Sequence, residues 1–406
     1  MVKYICENCK EEFTKKQSYN GHIKKCKNTS SESSNDIDNI DNIDNIDNID
    51  NCNVLPEKIH RLNYIGSKFQ LLDWITSNMK EKTGWDSFTD KTIGDMFSGT
   101  GIVSYYFRKH QAQVISNDAE LYSSIITHAF TRSIYTENCK KIIEEFQKDI
   151  QDNKHLSTIG FITAHYSPYD SCERKFFTIE NAQRIDYLRH NLELIKQTLP
   201  FDEYQFILAS ILLSADAVSN VPAVYGCFLK KFKTKAQKDL TLMPIHNNTS
   251  QAVDGSNTFN YDVLNIDFLR SFETDMVYLD PPYNARQYSK NYFPLNIIAK
   301  TPEILLTEMP LKGKTGIPTD CFISPFCKKG GVVEKAFDLL FRELKTKWIF
   351  LSYNSESIVS KEKILDIMKK YGDASVIERD YKRFKSFEYN KDVEIKEYLF
   401  CLNKCQ

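Results

Sequence analysis

The feature that most constrains the fold is the string Asp280-Pro281-Pro282-Tyr283, which directly follows the apolar run Met276–Leu279. A short apolar run bounded by turn formers predicts a strand that is buried on both faces, as in a parallel sheet. Two consecutive prolines end such a strand and fix the backbone. The string therefore predicts a rigid turn that presents a carboxylate, a carbonyl and an aromatic ring at the end of a strand.

This set of groups suits a planar amine. A carboxylate oxygen and a carbonyl oxygen can together accept both protons of an amino group, and an aromatic ring can stack on its face. A rigid turn that carries only a buried tyrosine is the alternative interpretation of the same residues.

A second turn of the same kind lies at Asp95-Met-Phe97-Ser-Gly99-Thr-Gly101, between a predicted strand and a helix that is predicted to begin at Ile102. Glycines at this position allow a tight turn and the close approach of a ligand. Neither Lys-Ser nor Lys-Thr follows them, so the turn is not a phosphate-binding P-loop.

Asp118 follows the next predicted strand, about 20 residues after the glycine turn. A carboxylate at this place in an α/β sheet suits the two hydroxyls of a ribose. Its alternative role is to cap the helix that begins at Ala119, and the two roles are compatible.

Beyond residue 58, short apolar runs alternate with amphipathic stretches, which is typical of an α/β domain. The predicted strands cover residues 92–97, 113–116, 275–280 and 347–352, and a hairpin of residues 375–383 and 393–402 is predicted to close the sheet. The predicted helices cover residues 119–135, 138–150, 180–198, 202–219, 332–345 and 360–370. Residues 131–258 are too many for a simple crossover, so they predict an inserted, mostly helical subdomain.

The N-terminal segment contains Cys6-x2-Cys9-x12-His22-x3-Cys26, which is the ligand spacing of a zinc finger. Because so short a segment has almost no core, zinc binding would supply its folding free energy. Free cysteines in a disordered tail are the alternative. The predicted role of the finger is weak tethering to DNA, with a protein contact as the alternative.

Residues 38–51 repeat the triplet Asp-Asn-Ile, and a period of three fits neither a helix face nor a strand face. Residues 29–57 are therefore predicted to be a disordered acidic linker. Residues 1–27 carry seven lysines and three glutamates, whereas residues 28–57 carry eight acids and no base. The whole chain has a net charge of −1, so charge alone does not indicate nucleic acid as a partner.

Eight of the eleven cysteines lie outside the finger and have no spacing typical of a disulfide framework. No window reaches the roughly 18 apolar residues that a membrane-spanning helix needs. We therefore predict a soluble protein that is not secreted, with reduced thiols and no membrane partner.

With these motifs in this order, the chain resembles the Dam-like, alpha-group adenine-specific DNA methyltransferases, which use S-adenosylmethionine. The likeness runs from Leu62 to the C-terminus and includes Asn63–Lys68 and Phe350–Glu356. It implies a Rossmann-like methyltransferase sheet in residues 58–130 and 259–404. Residues 131–258 would be the target-recognition region, and residues 1–28 would be the zinc finger, which resembles those of giant-virus proteins.

The resemblance also implies roles for single residues. Asp280 and the Pro281 carbonyl would accept the protons of the target amine, with Pro282 shaping the turn, and Tyr283 would stack on a flipped adenine. The residues expected to bind the cofactor are Tyr64, Lys68, Asp95, Phe97, Gly99, Gly101, Asp118, Asp267 and Asp280. Among these, the resemblance implies that Tyr64 and Lys68 close over the cofactor and that Asp267 lies by its adenine ring.

The insertion contains an aromatic and lysine-rich run at residues 228–238, which suits contacts with DNA phosphates. A solvated surface is the alternative for the lysines, and packing is the alternative for the residues that follow the catalytic turn. The predicted DNA contacts are Tyr225, Lys230, Lys231, Lys233, Arg286 and Tyr288.

The resemblance implies transfer of a methyl group to the N6 nitrogen of adenine in double-stranded DNA. It is compatible with a monomer and with a cognate restriction endonuclease as partner, neither of which the sequence establishes. The reduced thiols predict a cytoplasmic location, or a nucleus or viral factory if the source is a large DNA virus. The alternatives are a cytosine-N4 methyltransferase, an RNA methyltransferase, and a catalytically silent DNA-binding protein.

Overall fold

The computed structural model describes residues 59–300, 309–381 and 395–405, together with two short strands nearer the N-terminus. These strands, β1 (Tyr4–Ile5) and β2 (Glu12–Phe13), pair antiparallel. They belong to one compact unit, residues 1–51, and residues 52–406 form another. The linker predicted at residues 29–57 lies outside the described residues, and so do the predicted zinc ligands Cys6, Cys9, His22 and Cys26.

The larger unit is built on one mixed sheet. Its strands are β3 (Thr92–Asp95), β4 (Gln113–Asn117), β5 (Asn257–Phe259), β6 (Thr274–Leu279), β7 (Thr346–Asn354), β8 (Gly372–Tyr381) and β9 (Ile395–Lys404). The described strands form a seven-stranded sheet in the order β5-β4-β3-β6-β7-β9-β8. Strands β3 to β7 are parallel, and β9 is antiparallel to both of its neighbours. The order reverses between β3 and β6, which is where open α/β sheets bind ligands.

Helices connect the strands and form the insertion. Before and within the first half of the sheet lie α1 (Leu72–Thr83), α2 (Ile102–Lys109) and α3 (Leu121–Thr131). The insertion continues with α4 (Glu137–Gln151), α5 (Phe161–Tyr166), α6 (Ile179–Ile195), α7 (Phe201–Ala217) and α8 (Thr234–Gln237). After β5 come α9 (Ile266–Arg270), α10 (Tyr288–Asn291), α11 (Phe293–Ala299), α12 (Val332–Glu343) and α13 (Lys361–Met368). Among the described residues, every helix is too short or too polar to cross a membrane.

The predicted α/β pattern is confirmed, including the C-terminal hairpin, which is formed by β8 and β9. The sequence does not predict α1 or β5. Strand β5 has only three residues, none of them buried, so it lacks the apolar run on which strand prediction depends. It pairs with β4 at the end of the insertion and returns the chain to the sheet.

The sheet buries side chains on both faces, as parallel strands require. Along β6, Met276 and Tyr278 enter one core, whereas Val277 and Leu279 enter the other. The first core also contains the buried residues of α6 and α7, and the second contains those of α12 and α13. The insertion therefore shares a core with one face of the sheet and is not a separate compact unit.

Candidate active site

A cavity lies at the carboxyl ends of β3, β4 and β6, where the strand order reverses. It encloses about 900 Å³ of space between atoms, open solvent at its mouth included. Because parallel strands end at the same edge, turns that are far apart in sequence meet there. The predicted residues that line it are Tyr64, Lys68, Phe97, Gly99, Asp118, Asp280, Pro281, Pro282, Tyr283 and Tyr288.

Asp280 is the first residue after β6 and continues its alternation, so its side chain lies on the same face as that of Tyr278. One carboxylate oxygen is 3.0 Å from the Lys68 ammonium. Burial raises the pKa of Asp280, and the neighbouring Lys68 opposes that rise. The turn is anchored beyond the prolines, because the Ile358 N–H donates to the Tyr283 carbonyl at 3.0 Å.

The glycine turn and the turn after β4 are joined by the Asp118 carboxylate. One of its oxygens accepts the Gly99 N–H at 2.8 Å, and the other accepts the Glu120 N–H at 2.9 Å. Gly99 has a φ of +51°, and a Cβ there would lie 3.2 Å from the Tyr64 ring. The Tyr64 ring therefore covers the glycine turn.

Two predicted cofactor residues lie behind the cavity wall. Asp95 is buried, and one of its oxygens accepts the Ser104 hydroxyl at 2.6 Å. Burial raises the pKa of Asp95 to about 7. A Cβ on Gly101 would lie 3.0 Å from the Thr127 Cα and from the Phe130 ring, so this glycine allows α2 and α3 to pack closely. Both residues support the turn from behind.

The structure does not bring Asp267 to the cavity. Asp267 is exposed in the first turn of α9, whereas Asp262 and Val263 line the cavity. The Asn265 side chain caps α9 by accepting the Phe268 N–H at 3.1 Å. Asp262, which the sequence analysis missed, lines the cavity where Asp267 does not.

Glu120 is another cavity residue that the sequence analysis missed. It is buried and accepts the Asn296 side-chain amide at 2.6 Å. Burial and, after it, the charge of Asp118 raise the pKa of Glu120 to about 8. The signal that could have found it is its position two residues after Asp118, at the carboxyl end of β4.

A strap formed by residues 63–68 covers one side of the cavity. The Ile65 N–H donates to the Tyr292 hydroxyl at 2.9 Å, and the Tyr288 hydroxyl donates to the Ile65 carbonyl at 3.2 Å. The rings of Tyr64 and Tyr292 stack with their centroids 4.7 Å apart. Tyr288 therefore both lines the cavity and anchors the strap.

The predicted DNA contacts divide by exposure. Lys230, Lys231 and Arg286 are exposed, whereas the Lys233 ammonium donates to the Val221 carbonyl at 3.0 Å. Tyr225 is only 1% exposed. Its hydroxyl donates to the Asp216 carboxylate at 2.8 Å. Tyr225 therefore supports the insertion from within, which corrects its prediction as a DNA contact.

The insertion carries a second, more open cleft that the sequence analysis did not predict. Arg174 lies in its wall and donates to the Lys314 carbonyl at 3.2 Å and to the His165 carbonyl at 3.1 Å. The loop that contributes Lys314 continues to Phe322, which lines the main cavity. The ionisable groups that line this cleft are His165, Tyr169, Asp170, Cys172, Glu173, Arg174 and Lys314.

The main cavity fits S-adenosylmethionine by the chemistry of its walls. Four carboxyl groups and one lysine line it, and the ionised carboxylates among them favour a cationic ligand. Aromatic rings, including those of Phe97 and Phe326 with centroids 5.1 Å apart, suit an adenine base. Asp118 stands at the end of β4, where a ribose would find an acceptor.

Comparison with known proteins adds the family. Residues 64–367 match the model of the D12 class N6 adenine-specific DNA methyltransferases. The chain is 37% identical to the type II methyltransferase M.CviAII of Paramecium bursaria Chlorella virus 1, over 84% of this chain and 98% of that protein. It is 36% identical to the type II methyltransferase M.NlaIII of Neisseria lactamica, over 80% and 93% of the two chains.

The type II methyltransferase M.FokI of Planomicrobium okeanokoites is 34% identical over 84% of this chain and 53% of that protein. The family match covers most of the chain and includes every strand that ends at the cavity. This chain belongs to the D12 class of N6 adenine-specific DNA methyltransferases.

Proposed function

We propose that this enzyme methylates an adenine that is flipped out of duplex DNA, and that Asp280–Tyr283 hold the flipped base. The proposal rests on one observation. Asp118, Gly99 and Asp280, which come from three strand ends, line one cavity. A nucleoside cofactor held at Asp118 and a base held at Tyr283 would then meet beside Asp280.

S-adenosylmethionine supplies a methyl group that its sulfonium makes electrophilic. The lone pair of the adenine amine is delocalised into the ring, so the protein must localise it on the nitrogen before the nitrogen can attack. Asp280 and the Pro281 carbonyl each accept a hydrogen bond from the amine. These two hydrogen bonds favour tetrahedral geometry at the nitrogen. As the nitrogen–carbon bond forms, the methyl–sulfur bond would break and the sulfur would leave as a neutral thioether. The Asp280 carboxylate stabilises the positive charge that the nitrogen gains and receives the proton that must leave.

The flipped base needs a surface to replace the stacking that it loses. Tyr283 is half-buried beside Asp280 and offers its ring as that surface. The strap, with Tyr64 and Tyr288, covers the cavity and excludes water around the reacting groups. Positioning of the two reactants supplies most of the rate enhancement.

Cofactor binding is assigned to the walls of the cavity. Asp118 accepts the ribose hydroxyls, and Asp262 takes the place beside the adenine ring that the sequence analysis gave to Asp267. Tyr64 covers the cofactor, while Lys68 holds Asp280 from below. Asp95 and Gly101 act by shaping the glycine turn.

DNA binding is assigned to the insertion and to the loop after the catalytic turn. Lys230, Lys231 and Arg286 are exposed and contact phosphates. The cleft at Arg174 and Lys314 is a candidate for base contacts, because arginine suits the edge of a guanine. On this assignment residues 131–258 choose the target, and residues 58–130 and 259–404 carry out the chemistry.

The N-terminal unit is proposed to be a zinc finger that tethers the enzyme to DNA. Cys6, Cys9, His22 and Cys26 would hold Zn²⁺. The antiparallel pairing of Tyr4–Ile5 with Glu12–Phe13 supports the proposal, because Cys6 and Cys9 fall between these two strands in the sequence. Zinc measured in the purified full chain is expected at about one equivalent and to fall with Cys9→Ser, whereas the control Cys52→Ser keeps it. Equal zinc in all three proteins would contradict the proposal.

The direct test of the function is expression of the full chain in a bacterium that lacks adenine methylation. Its DNA, digested to nucleosides, is expected to contain N6-methyladenine at a fixed sequence, which single-molecule sequencing identifies. N4-methylcytosine, or methylation confined to RNA, would support the alternatives instead. Unmodified nucleic acid from a soluble protein would support a silent DNA-binding protein.

A cognate restriction endonuclease is also proposed, since the relatives include type II modification methylases. Extracts of the source are expected to cut unmodified DNA at the methylated sequence and to leave modified DNA intact. Equal cutting of both DNAs would contradict this partner. The monomeric state and the compartment stay predictions.

A further inference from the structure

Beneath the catalytic turn, a third ionised group joins the pair of Asp280 and Lys68. The Lys68 ammonium lies 3.0 Å from Asp280 and 3.4 Å from the Glu397 carboxylate. It also donates to the Gly66 carbonyl at 3.3 Å. The Lys68 side chain is 6% exposed and that of Glu397 is also 6% exposed, so the two groups interact with little screening by water.

The sheet explains why Glu397 arrives there. Asp280 follows β6, and Glu397 lies on β9, with β7 between them. In the ladder, Asn354 of β7 stands opposite Glu397, and the side chains of a strand alternate between its faces. Glu397 therefore shares the face of its neighbour Leu399, which is the face that Tyr278 and Asp280 share. Residue spacing along the chain gives no hint of this meeting.

Glu397 has no other evident task. Its Oε1 atom is buried and, among the described residues, accepts no hydrogen bond of good geometry. The Lys68 ammonium, 3.4 Å away, is the charged group that pairs with it. A buried carboxylate whose charged partner is an ammonium that it shares with a second carboxylate is unfavourable for stability. A group that the fold keeps at such a cost is more readily explained by what it does to its neighbour.

We propose that Glu397 is a positioning residue for methyl transfer, which acts by sharing the Lys68 ammonium so that Asp280 stays an effective acceptor. This inference rests on the proposed role of Asp280. An ammonium that paired with Asp280 alone would neutralise the carboxylate that has to stabilise charge on the amine nitrogen. With two carboxylates and one ammonium, the cluster keeps a net charge of −1, and part of it remains on Asp280.

Other charged and titratable groups surround the cluster and bear on its pH dependence. The Lys68 pKa is raised by Asp280 and Glu397 against the opposing effect of burial, so the ammonium stays charged. Burial raises the pKa of Glu397, and the charge of Asp280 raises it further. The remaining neighbours are Asp95 from β3, Tyr278 from β6, Tyr283 from the catalytic turn and Tyr288 from α10.

The test is Glu397→Gln, which keeps the shape and removes the charge. Methyl transfer to duplex DNA is expected to fall about tenfold in kcat, while the Kd of S-adenosylmethionine changes less than about threefold. The acid limb of the kcat profile is expected to move to lower pH, because the pKa of Asp280 falls when a nearby negative charge is removed. A role confined to stability would leave that limb in place.

Two further variants make the result decisive. Glu397→Asp keeps the negative charge but moves it away from Lys68, because the side chain is one methylene shorter. We therefore expect an intermediate kcat and an acid limb near that of the wild type. Glu378→Gln is the matched control, because Glu378 lies on the partner strand β8 and holds two surface lysines at 2.7 and 3.2 Å. It is expected to leave kcat unchanged.

The outcomes separate this inference from the proposed function. An active wild type with an unchanged kcat and acid limb in Glu397→Gln would overturn the role of Glu397. An equal loss in Glu378→Gln would also overturn it, since the effect would then come from the hairpin as a whole. If Glu397→Gln does not fold, a wild-type acid limb together with a wild-type kcat in Glu397→Asp would overturn it. A wild type that methylates no DNA would instead refute the proposed function.

Discussion

The carboxyl edge of the sheet and the inserted region differ in how their polar residues are held. At the edge, Asp118 and Asp280 follow strands whose positions the backbone ladder fixes, so both reach the cavity as predicted. In the insertion, Tyr225 turns inward and Lys233 bonds a backbone carbonyl, so the packing of helices and loops decides which residues are exposed. A motif at a strand end can therefore be placed from sequence more securely than a motif in a helical insertion.

The largest test of this contrast uses the two ends of one strand. Asp280→Asn removes the acceptor charge at the carboxyl end of β6 and is expected to lower methyl transfer about 100-fold or more. Asp275→Asn is its control at the amino end, where Asp275 accepts the Thr92 N–H at 2.8 Å. Its activity, measured by transfer of a labelled methyl group, is expected to stay within about twofold of the wild type. Equal losses of activity in the two variants would mean that the carboxyl end of β6 matters no more for methyl transfer than its amino end.

The next test concerns Glu120, a buried acid at the carboxyl edge of the sheet. The pKa of Glu120 is raised from 4.5 to about 8, so the folded protein binds this proton more tightly than the unfolded chain does. The free energy of unfolding therefore falls as pH rises from about 4.5 through about 8. Glu120→Gln removes this dependence and is expected to be about 2 kcal/mol more stable than the wild type at pH 9 and not at pH 4.

Denaturant unfolding at the two pH values measures this difference. The control is Glu144→Gln, which changes an exposed glutamate of α4. It is expected to shift stability by less than about 0.5 kcal/mol at either pH. If the free energy of unfolding of Glu120→Gln depends on pH as that of the wild type does, the raised pKa of Glu120 in the folded protein is contradicted.

On the side of the insertion, the exposed lysines provide the matching test. The double change Lys230→Gln and Lys231→Gln is expected to weaken DNA binding about tenfold at low salt and to reduce the salt slope by about 2. The kcat at saturating DNA is expected to stay the same, because neither lysine lines the cavity. Titrations at several salt concentrations measure both quantities.

The control is a second pair of adjacent exposed lysines, Lys140→Gln with Lys141→Gln on α4. This pair is expected to change the salt slope by less than about 1. If both pairs weaken binding equally, the contact is a general effect of charge and residues 230–231 are not a specific phosphate site.

The smallest expected effect sharpens the contrast between exposed and buried residues. Tyr225→Phe removes a buried hydroxyl that donates to Asp216 and is expected to lower the free energy of unfolding by about 1 kcal/mol. DNA affinity is expected to stay within about twofold. Tyr261→Phe, at a tyrosine that is 48% exposed, is the control for stability. Weaker DNA binding with unchanged stability would restore Tyr225 as a DNA contact.

The sequence by itself determined the chemistry of this protein and the strands that carry it. The string Asp280–Tyr283, the glycine turn and Asp118 each lie at the end of an apolar run, and local pattern and turn residues suffice to place such features. The same local signals predicted the helices of the insertion and the C-terminal hairpin, which the structure confirms.

Only the tertiary structure decided which groups meet. Glu397 reaches Lys68 through the antiparallel pairing of β9 with β7, and Glu120 reaches the cavity through the packing of α3 against Asn296. Asp267 is exposed on α9 and does not line the cavity, although its motif predicts otherwise. These outcomes depend on strand order and on helix orientation, which contacts between distant parts of the chain fix and which no local pattern in the sequence records.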